Sequence, residues 1–349
     1  MNPILENIYE QPAELHRVLD DLIGPKLGQL REFSRIVDLA GEVVLTSMGS
    51  AFYSLMPMYE AMLARGMRNV SLIETAELIR HPERLSGNAL YVLMSRSGES
   101  REVADFSRML SDRQLSSMCI SMTPDSTMAS TCTYSLHDIA SYDKIVCIKA
   151  YSSMALCGLM LASMLGRTTP DPKLVDKLKH LFDWMEAHKR DLLRGFEDID
   201  FLASTGSFYL LSRSQGINMM RSASLWIEET AKVPANVMSL DNFYHGPMEI
   251  IRAQKITKTA TTPVLLDACP DGRSRMIWRR INDAAPSSLY FGADPSAPAA
   301  FRFLLPELGL DASWMMLGQA LHFQLLSYQV ALCRGIEPGM FFDEGWVVT

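Results

Sequence analysis

The 349 residues contain no CxxC pair and no Cys/His cluster, although six cysteines are present (Cys119, Cys132, Cys147, Cys157, Cys269 and Cys333). Zinc sites need closely spaced soft ligands, so a zinc centre is not indicated. Several of these cysteines stand in apolar runs and read as buried thiols, which suits a reducing, cytoplasmic setting. Basic charge is also short: 33 Lys and Arg stand against 40 Asp and Glu, a formal net charge of −7. No basic tail or stripe occurs, which argues against nucleic acid or an anionic membrane as partner. A small anionic substrate would have to be held by helix dipoles and hydroxyls instead. The most apolar run, Met154 to Leu165, is too short to span a bilayer. The opening MNPILENIYEQP has acids and a proline and lacks the apolar core of a signal peptide. The glycine-rich dinucleotide and P-loop phosphate motifs are absent.

What is present is ample core material, 48% hydrophobic, in a length that suits about two domains. Short apolar runs alternate with amphipathic stretches. Residues 1–30 read as a helical lead-in, with Pro12 placed to start a helix ahead of Leu15, Val18, Leu19 and Leu22. Ile36–Leu39 reads as apolar edge material and Glu42–Thr46 as the first clear strand. Further strands are expected at Val70–Ile73, Ala89–Met94, Met118–Met122 and Tyr134–Leu136. Helices are expected at Ala51–Arg65, Arg101–Leu110 and Ser152–Leu165. A charged stretch, 168–195, reads as a linker and connecting helix. The pattern then restarts, with strands at Ser207–Leu211, Thr262–Asp267, Ser288–Gly292 and Phe303–Leu305 and helices at Ile217–Thr230, Gly272–Asp283 and Ala312–Arg334. Placing Gly49 on Ser214 aligns strand, turn and helix at an offset of 165 residues. Strands that are apolar throughout and alternate with helices predict parallel sheets covered on both faces.

The richest local signal is Ser95-Arg96-Ser97-Gly98-Glu99-Ser100, after a strand and opening a helix. Ligands of open parallel sheets sit beyond the C-terminal strand ends, where free N–H groups and the helix dipole favour an anion. Three hydroxyls and a glycine would admit a phosphate; the same residues would equally make a Ser-rich helix cap. Gly49-Ser50 repeats the arrangement one strand earlier, and Ser126-Thr127 after the fourth strand adds a hydroxyl or caps a helix. Farther on, Glu228 and Glu229 end an apolar helix, where a carboxylate of raised pKa would move protons and a solvated one would do nothing. His245-Gly246-Pro247 follows the polar loop SLDNFY, and its tight turn would hold an imidazole at a loop-to-helix junction.

SRSGES after a strand, KAYSS at Lys149–Ser153, EETAK followed by YHGPMEI, and the lead-in ENIYEQP together resemble the sugar isomerase (SIS) family. The nearest likeness is to the isomerase half of glucosamine-6-phosphate synthase and to sugar-phosphate deaminases and fructosamine-6-phosphate deglycases. It covers about residues 6–335. The resemblance implies an α/β chain of two tandem SIS-type domains, each a parallel sheet flanked by helices in a flavodoxin-like three-layer sandwich. The boundaries expected are a lead-in (1–30), a first SIS domain (31–168), a linker and connecting helix (169–195), a second SIS domain (196–335) and a C-terminal tail (336–349).

Carried over by position, the resemblance assigns Ser95, Arg96, Ser97 and Ser100 to the phosphate of a sugar phosphate. Gly49 and Ser50 would line the sugar site, and Ser126 and Lys149 are further binding candidates. Glu229 matches the glutamate that moves a proton between carbon-1 and carbon-2, and His245 the histidine that assists ring opening. In relatives that histidine reaches the partner subunit's site, so a homodimer is implied. No metal or organic cofactor is called for by this chemistry.

Four departures qualify the likeness. The SIS-like lead-in starts by residue 6, so a glutaminase domain and glutamine-dependent synthesis are not expected. No lysine follows Lys258, so the C-terminal tail cannot form the Schiff base that the synthase makes there. Arg96 stands where the synthase has an amide, and Ser214 replaces a family glycine in the second turn. The expected activity is deamination or deglycation of an amino or glycated sugar phosphate with aldose–ketose isomerisation. The alternative is a non-catalytic sugar-phosphate-binding regulator. Phe341, Phe342 and Trp346 suggest a tail that covers the site.

Overall fold

A computed structural model of the protein describes residues 1–143, 145–268 and 270–342. Cys269 and Trp346 therefore lie outside the described residues, as does the covering role expected of the tail beyond Phe342. The chain divides into two compact units. One comprises Glu10–Phe182 with Phe341 and Phe342, the other Met1–Tyr9 with Asp183–Met340.

The chain opens with helices α1 (Pro3–Ile23) and α2 (Leu27–Leu39). Two expectations fail here. Pro12 lies inside α1 and does not start it, because the buried stripe runs back through Ile8 and Ile4 to Pro3, which takes the first helical position. That position needs no N–H, so proline fits it. Ile36–Leu39 is the last turn of α2, since Val37 continues the buried face of Leu30, Phe33 and Ser34.

The Glu10–Phe182 unit continues as β1 (Glu42–Ser47), α3 (Gly49–Ala64), β2 (Val70–Glu74), α4 (Thr75–Arg80), β3 (Ala89–Ser95), α5 (Arg101–Asp112), β4 (Ser117–Ser121), α6 (Thr127–Thr131), β5 (Tyr134–His137) and α7 (Lys149–Ser163). Its five strands are all parallel, in the order β2-β1-β3-β4-β5. The central strands β3 and β4 are buried at every residue, which is why they read as unbroken apolar runs. Helix α7 is buried along nearly its whole surface, matching its composition.

After α8 (Pro172–Glu197) come β6 (Ser207–Ser212), α9 (Gly216–Ala231), β7 (Ala235–Ser239), α10 (Leu240–Tyr244), α11 (Glu249–Thr257), β8 (Thr261–Leu266), α12 (Gly272–Ala284), β9 (Leu289–Gly292), β10 (Phe301–Leu304) and α13 (Ala312–Cys333). The second sheet, read from its β7 edge, runs β7-β6-β8-β9-β10, the same order as the first, again all parallel. Pro263 sits inside a central strand without penalty because β9 pairs with β8 only from Val264 onward. The loop read at SLDNFY is the short helix α10, whose start is capped by Ser239 accepting from the Asn242 N–H. Strand β7 was not legible: ANVMS is short, polar and only half-buried at an edge.

The repeat holds in detail. Strand β1 begins at 42 and β6 at 207, β2 at 70 and β7 at 235, each 165 apart. Gly49 and Ser214, aligned at that offset, both have left-handed backbone, φ +55° and +50°. In each sheet a serine closing the first strand donates to a carbonyl at the end of the neighbouring strand, Ser47 to Met94 and Ser212 to Leu266.

Candidate functional site

In a sheet of order 2-1-3-4-5 the crevice opens between strands 1 and 3, where the chain leaves in opposite directions. Here that point lies between β1 and β3, and the two segments singled out in the sequence leave from those strand ends. The turn at Gly49-Ser50 enters α3, and the loop Arg96–Ser100 enters α5. Neither helix has a side-chain cap: Met48 cannot supply one, and Ser100, although at the cap position, makes no capping hydrogen bond. Both helix starts therefore keep their unshared N–H groups and their positive dipole ends at the crevice. The Ser50 hydroxyl is buried without a hydrogen-bond partner, in a place where most buried polar atoms find one.

The Ser loop owes its shape to a few local bonds. Buried Ser95 accepts from the Gly98 N–H (3.0 Å) and Ser97 from the Glu99 N–H (3.2 Å). Gly98 has φ +67°, and a Cβ there would lie 2.1 Å from Ser126 Oγ. Only glycine meets both demands. From beneath, Met128 N–H donates to the Gly98 carbonyl (3.1 Å) and Thr123 Oγ1 donates to the Arg96 carbonyl (3.2 Å). Ser126 takes its structural reading: it accepts from Ala129 N–H (3.3 Å) at the start of α6 and donates to the Thr123 carbonyl (2.9 Å). Ser121 and Thr123, which the sequence reading passed over, are thus part of the platform. The signal for them was their place at the end of β4.

Arg96 is anchored on its far side. Nη1 donates to the carbonyls of Asp143 (3.1 Å) and Ile145 (3.2 Å), and the guanidinium lies 4.8 Å from the Tyr142 ring centre. Burial opposes its charge, but Cys147, Tyr142 and Asp143 outweigh that and raise its pKa. Lys149 opens α7. Its buried ammonium donates to Glu10 Oε2 (2.6 Å) and Ser141 Oγ (2.7 Å). The start of α7 is served by Asp143, fully buried, which accepts from the N–H groups of Ile148 (3.0 Å), Lys149 (3.2 Å) and Ala150 (2.8 Å). Burial outweighs these donors and the Lys149 charge, and pushes the Asp143 pKa up to about 6. Nearby Asp138 is also buried, with Oδ2 unpartnered, and burial raises its pKa. Neither aspartate stands out in the sequence, because a lone Asp in a loop usually faces water.

Glu229 and His245 belong to the other unit. Glu229 is half-buried in the last turn of α9, next to Lys232, whose backbone is left-handed and whose ammonium donates to the Glu229 carbonyl. Its neighbour Glu228 is exposed and accepts from Ala235 N–H (3.1 Å), tying α9 to the start of β7. The two glutamates are thus distinguished, with Glu228 engaged by the backbone. His245 caps the end of α10 and is exposed. Its turn is held on both flanks by buried Phe243 and Met248, with Met248 N–H donating to the Phe243 carbonyl (2.9 Å). These contacts fix the backbone at His245, while its side chain stays exposed.

The crevice of this second unit differs in charge. Arg213, in the turn after β6, bridges Asp241 (2.9 Å) and Asp271 (2.6 Å), and Arg273 also reaches Asp241 (2.8 Å). Asp271 caps α12 through a reciprocal pair with Ser274. Backbone and arginine donors hold its pKa down to about 2. The strand-end groups are thus paired with one another, where the first unit leaves hydroxyls and N–H groups unspent. Among the described residues no group of three or more His, Cys, Asp or Glu is arranged to hold a metal ion. No described helix is long and apolar enough to cross a membrane.

No family profile matches the chain. The chain is 21% identical, over 96% of its length, to glutamine–fructose-6-phosphate aminotransferase (isomerizing) of Aeropyrum pernix, and it spans 55% of that relative. Among solved structures it is similar to the C-terminal domain of glucosamine-fructose-6-phosphate aminotransferase from Francisella tularensis (TM-score 0.79, 14% identity, 96% of this chain and 97% of that one). Tagatose-6-phosphate ketose/aldose isomerase from Escherichia coli superposes as well (TM-score 0.78, 16% identity, 98% and 96%). So does glucosamine-6-phosphate deaminase from Thermotoga maritima (TM-score 0.71, 17% identity, 93% and 95%). The chain thus has the fold of the SIS-type phosphosugar isomerases and of the synthase's isomerase half, the likeness that its Ser loop and His-Gly-Pro turn carry.

Proposed function

We propose that the protein is a phosphosugar isomerase or deaminase-type enzyme acting on an amino or glycated sugar phosphate. The observation that carries this reading is the crevice at β1 and β3. Two uncapped helix starts, the Ser95–Ser100 loop and the unpartnered Ser50 hydroxyl offer an anion many donors there, without basic surface charge. The two domains are taken to be joined by a linker and connecting helix at 169–195, and the protein to work as a homodimer in the cytoplasm.

In the chemistry proposed, the phosphate is held by Ser95, Ser97, Ser100 and the loop N–H groups, with Gly49 and Ser50 beside the sugar. A cyclic sugar phosphate must open before its carbonyl is reactive, and His245, supplied to a partner's site, would move a proton at the ring oxygen. Glu229 would then take a proton from one of carbon-1 and carbon-2 and return it to the other. For an amino or glycated sugar this transfer yields an imine, which water hydrolyses to release the amine. A half-buried carboxylate at a helix end suits that part.

The test is a time course by NMR with glucosamine-6-phosphate, galactosamine-6-phosphate, fructose-6-phosphate with ammonia, and 6-phosphofructose–amino acid adducts. Conversion of one of them by the native protein and not by Glu229→Gln supports the reading. Binding across the panel without conversion favours a sugar-phosphate-binding regulator, and conversion by Glu229→Gln removes Glu229 from the mechanism.

A further inference from the structure

The loop between β5 and α7 is tied down from several sides. Arg17 Nη2 donates to the Ile139 carbonyl (2.7 Å), and the Ser141 N–H donates to Glu14 Oε2 (3.0 Å). Lys149 holds Ser141, and Asp143 is fixed by three N–H groups at the start of α7. Arg96, the second residue of the Ser loop, holds it as well. Its Nη1 bridges the carbonyls of Asp143 and Ile145, and its guanidinium carbon lies 4.8 Å from the Tyr142 ring centre. Arg96 is itself fastened below, its carbonyl taking the Thr123 hydroxyl.

We infer that Arg96 is a latch between the Ser loop and Tyr142, Asp143 and Ile145, a positioning residue and not a phosphate ligand. The inference rests on reading the Ser loop as the phosphate anchor. Both carbonyls are reached from the one Nη1, at the end of a side chain long enough to set its guanidinium against the Tyr142 ring as well. An amide here is too short to span that distance, and an ammonium lacks the flat face that meets the ring. The latch has a functional consequence. Anion binding tightens the Ser loop, and Arg96 passes that order to the loop that carries Ser141 and Asp143, hence to the Lys149 ammonium and the start of α7.

The experiment uses the full chain as Arg96→Gln and Arg96→Lys. Hydrogen exchange is followed in the peptides spanning 95–101 and 141–148, and inorganic phosphate binding is measured by calorimetry. Near-ultraviolet circular dichroism of both variants controls for folding. A latch predicts that 141–148 exchanges about tenfold faster in Arg96→Gln, as expected when hydrogen bonds from a charged donor are lost. Phosphate affinity then changes less than about fivefold, well short of the loss of a charged ligand. Phosphate slows exchange in 141–148 of the native protein and no longer does so in Arg96→Gln, a coupling that a merely structural residue would not transmit. Arg96→Lys keeps phosphate affinity without restoring the protection. The inference is overturned if phosphate affinity falls about fiftyfold or more while 141–148 is unchanged, or if lysine restores full protection. If the native protein binds neither phosphate nor any sugar phosphate, the proposed function fails, and exchange in 141–148 still decides whether the latch exists.

Discussion

Replacing Gly98 by alanine tests the Ser loop at the point where it has least freedom. The new Cβ would lie 2.1 Å from Ser126 Oγ and 2.5 Å from Ser126 Cβ, contacts that cannot persist. Either the loop backs away from α6 or Ser126 rotates and loses its bonds to Ala129 N–H and the Thr123 carbonyl. Two buried hydrogen bonds are worth about 1 kcal/mol each. Holding alanine at φ +67° costs about 1–2 kcal/mol more. The expected destabilisation is about 2–4 kcal/mol, read as a lower urea midpoint at an unchanged slope. In a Ser126→Gly background the obstacle and its two hydrogen bonds are already gone, so Gly98→Ala adds only the backbone strain. The double variant should therefore be more stable than the two single losses predict, by about 1–2 kcal/mol. Phosphate binding should weaken in Gly98→Ala, because the Gly98 carbonyl and N–H set the loop. A Gly98→Ala protein within about 0.5 kcal/mol of the native one, or strict additivity of the two changes, would show that the loop is not held in this way.

Other outcomes follow from the same geometry. Glu228→Gln should keep turnover, whereas Glu229→Gln should lose it by a hundredfold or more, on the order expected for a general base; steady-state rates on a converted sugar phosphate decide it. His322 is fully buried, stacked on Trp184, with Nε2 unpartnered, and burial lowers its pKa to about 4. Its unfolded form takes up a proton near pH 6.5 and its folded form only near 4, so native stability is lost as pH falls through that window. Asp143, raised to about 6, works in the opposite sense, since its folded form takes up the proton first. His322→Phe should thus gain about 3 kcal/mol relative to the native protein between pH 7 and pH 4, measured by denaturant melts; a pH-independent difference would refute it. Ser50→Ala removes a buried hydroxyl that has no hydrogen-bond partner, so it should leave stability unchanged within about 0.5 kcal/mol. It should weaken phosphate-sugar binding, and a variant that melts lower with unaltered binding would argue against Ser50 as a ligand.

Most of the sheet framework was legible because parallel strands in a covered sheet must be apolar at every position. ALYVLM and SMCIS could be little else once loops rich in serine followed them. The repeat was legible for the same reason, and the left-handed backbone at both Gly49 and Ser214 is its physical counterpart. Proline misled at residue 12, where tertiary burial of Ile4 and Ile8 carries α1 through it. Edge material such as β7, and short helices such as α10, lack a buried period long enough to read. At the site, the serines announced themselves by type and place. Their supports did not, since Thr123, Asp143 and Tyr142 act through contacts distant in sequence. Arg96, assigned to the phosphate by its position in the resemblance, bonds two carbonyls and lies beside a ring.

The serine that ties β1 to β3 has its twin tying β6 to β8, yet the two crevices they hold open differ in what they leave unfinished. Around Arg213 the carboxylates of Asp241 and Asp271 each meet an arginine within the protein. Around the Ser loop the helix starts and the Ser50 hydroxyl lack a side-chain partner, and on the proposed reading an anion would supply one. Ligand binding should therefore raise the melting resistance of the Glu10–Phe182 unit first and most. A heat scan with and without phosphate would show one duplicated architecture behaving as two halves, one indifferent to the ligand and one completed by it.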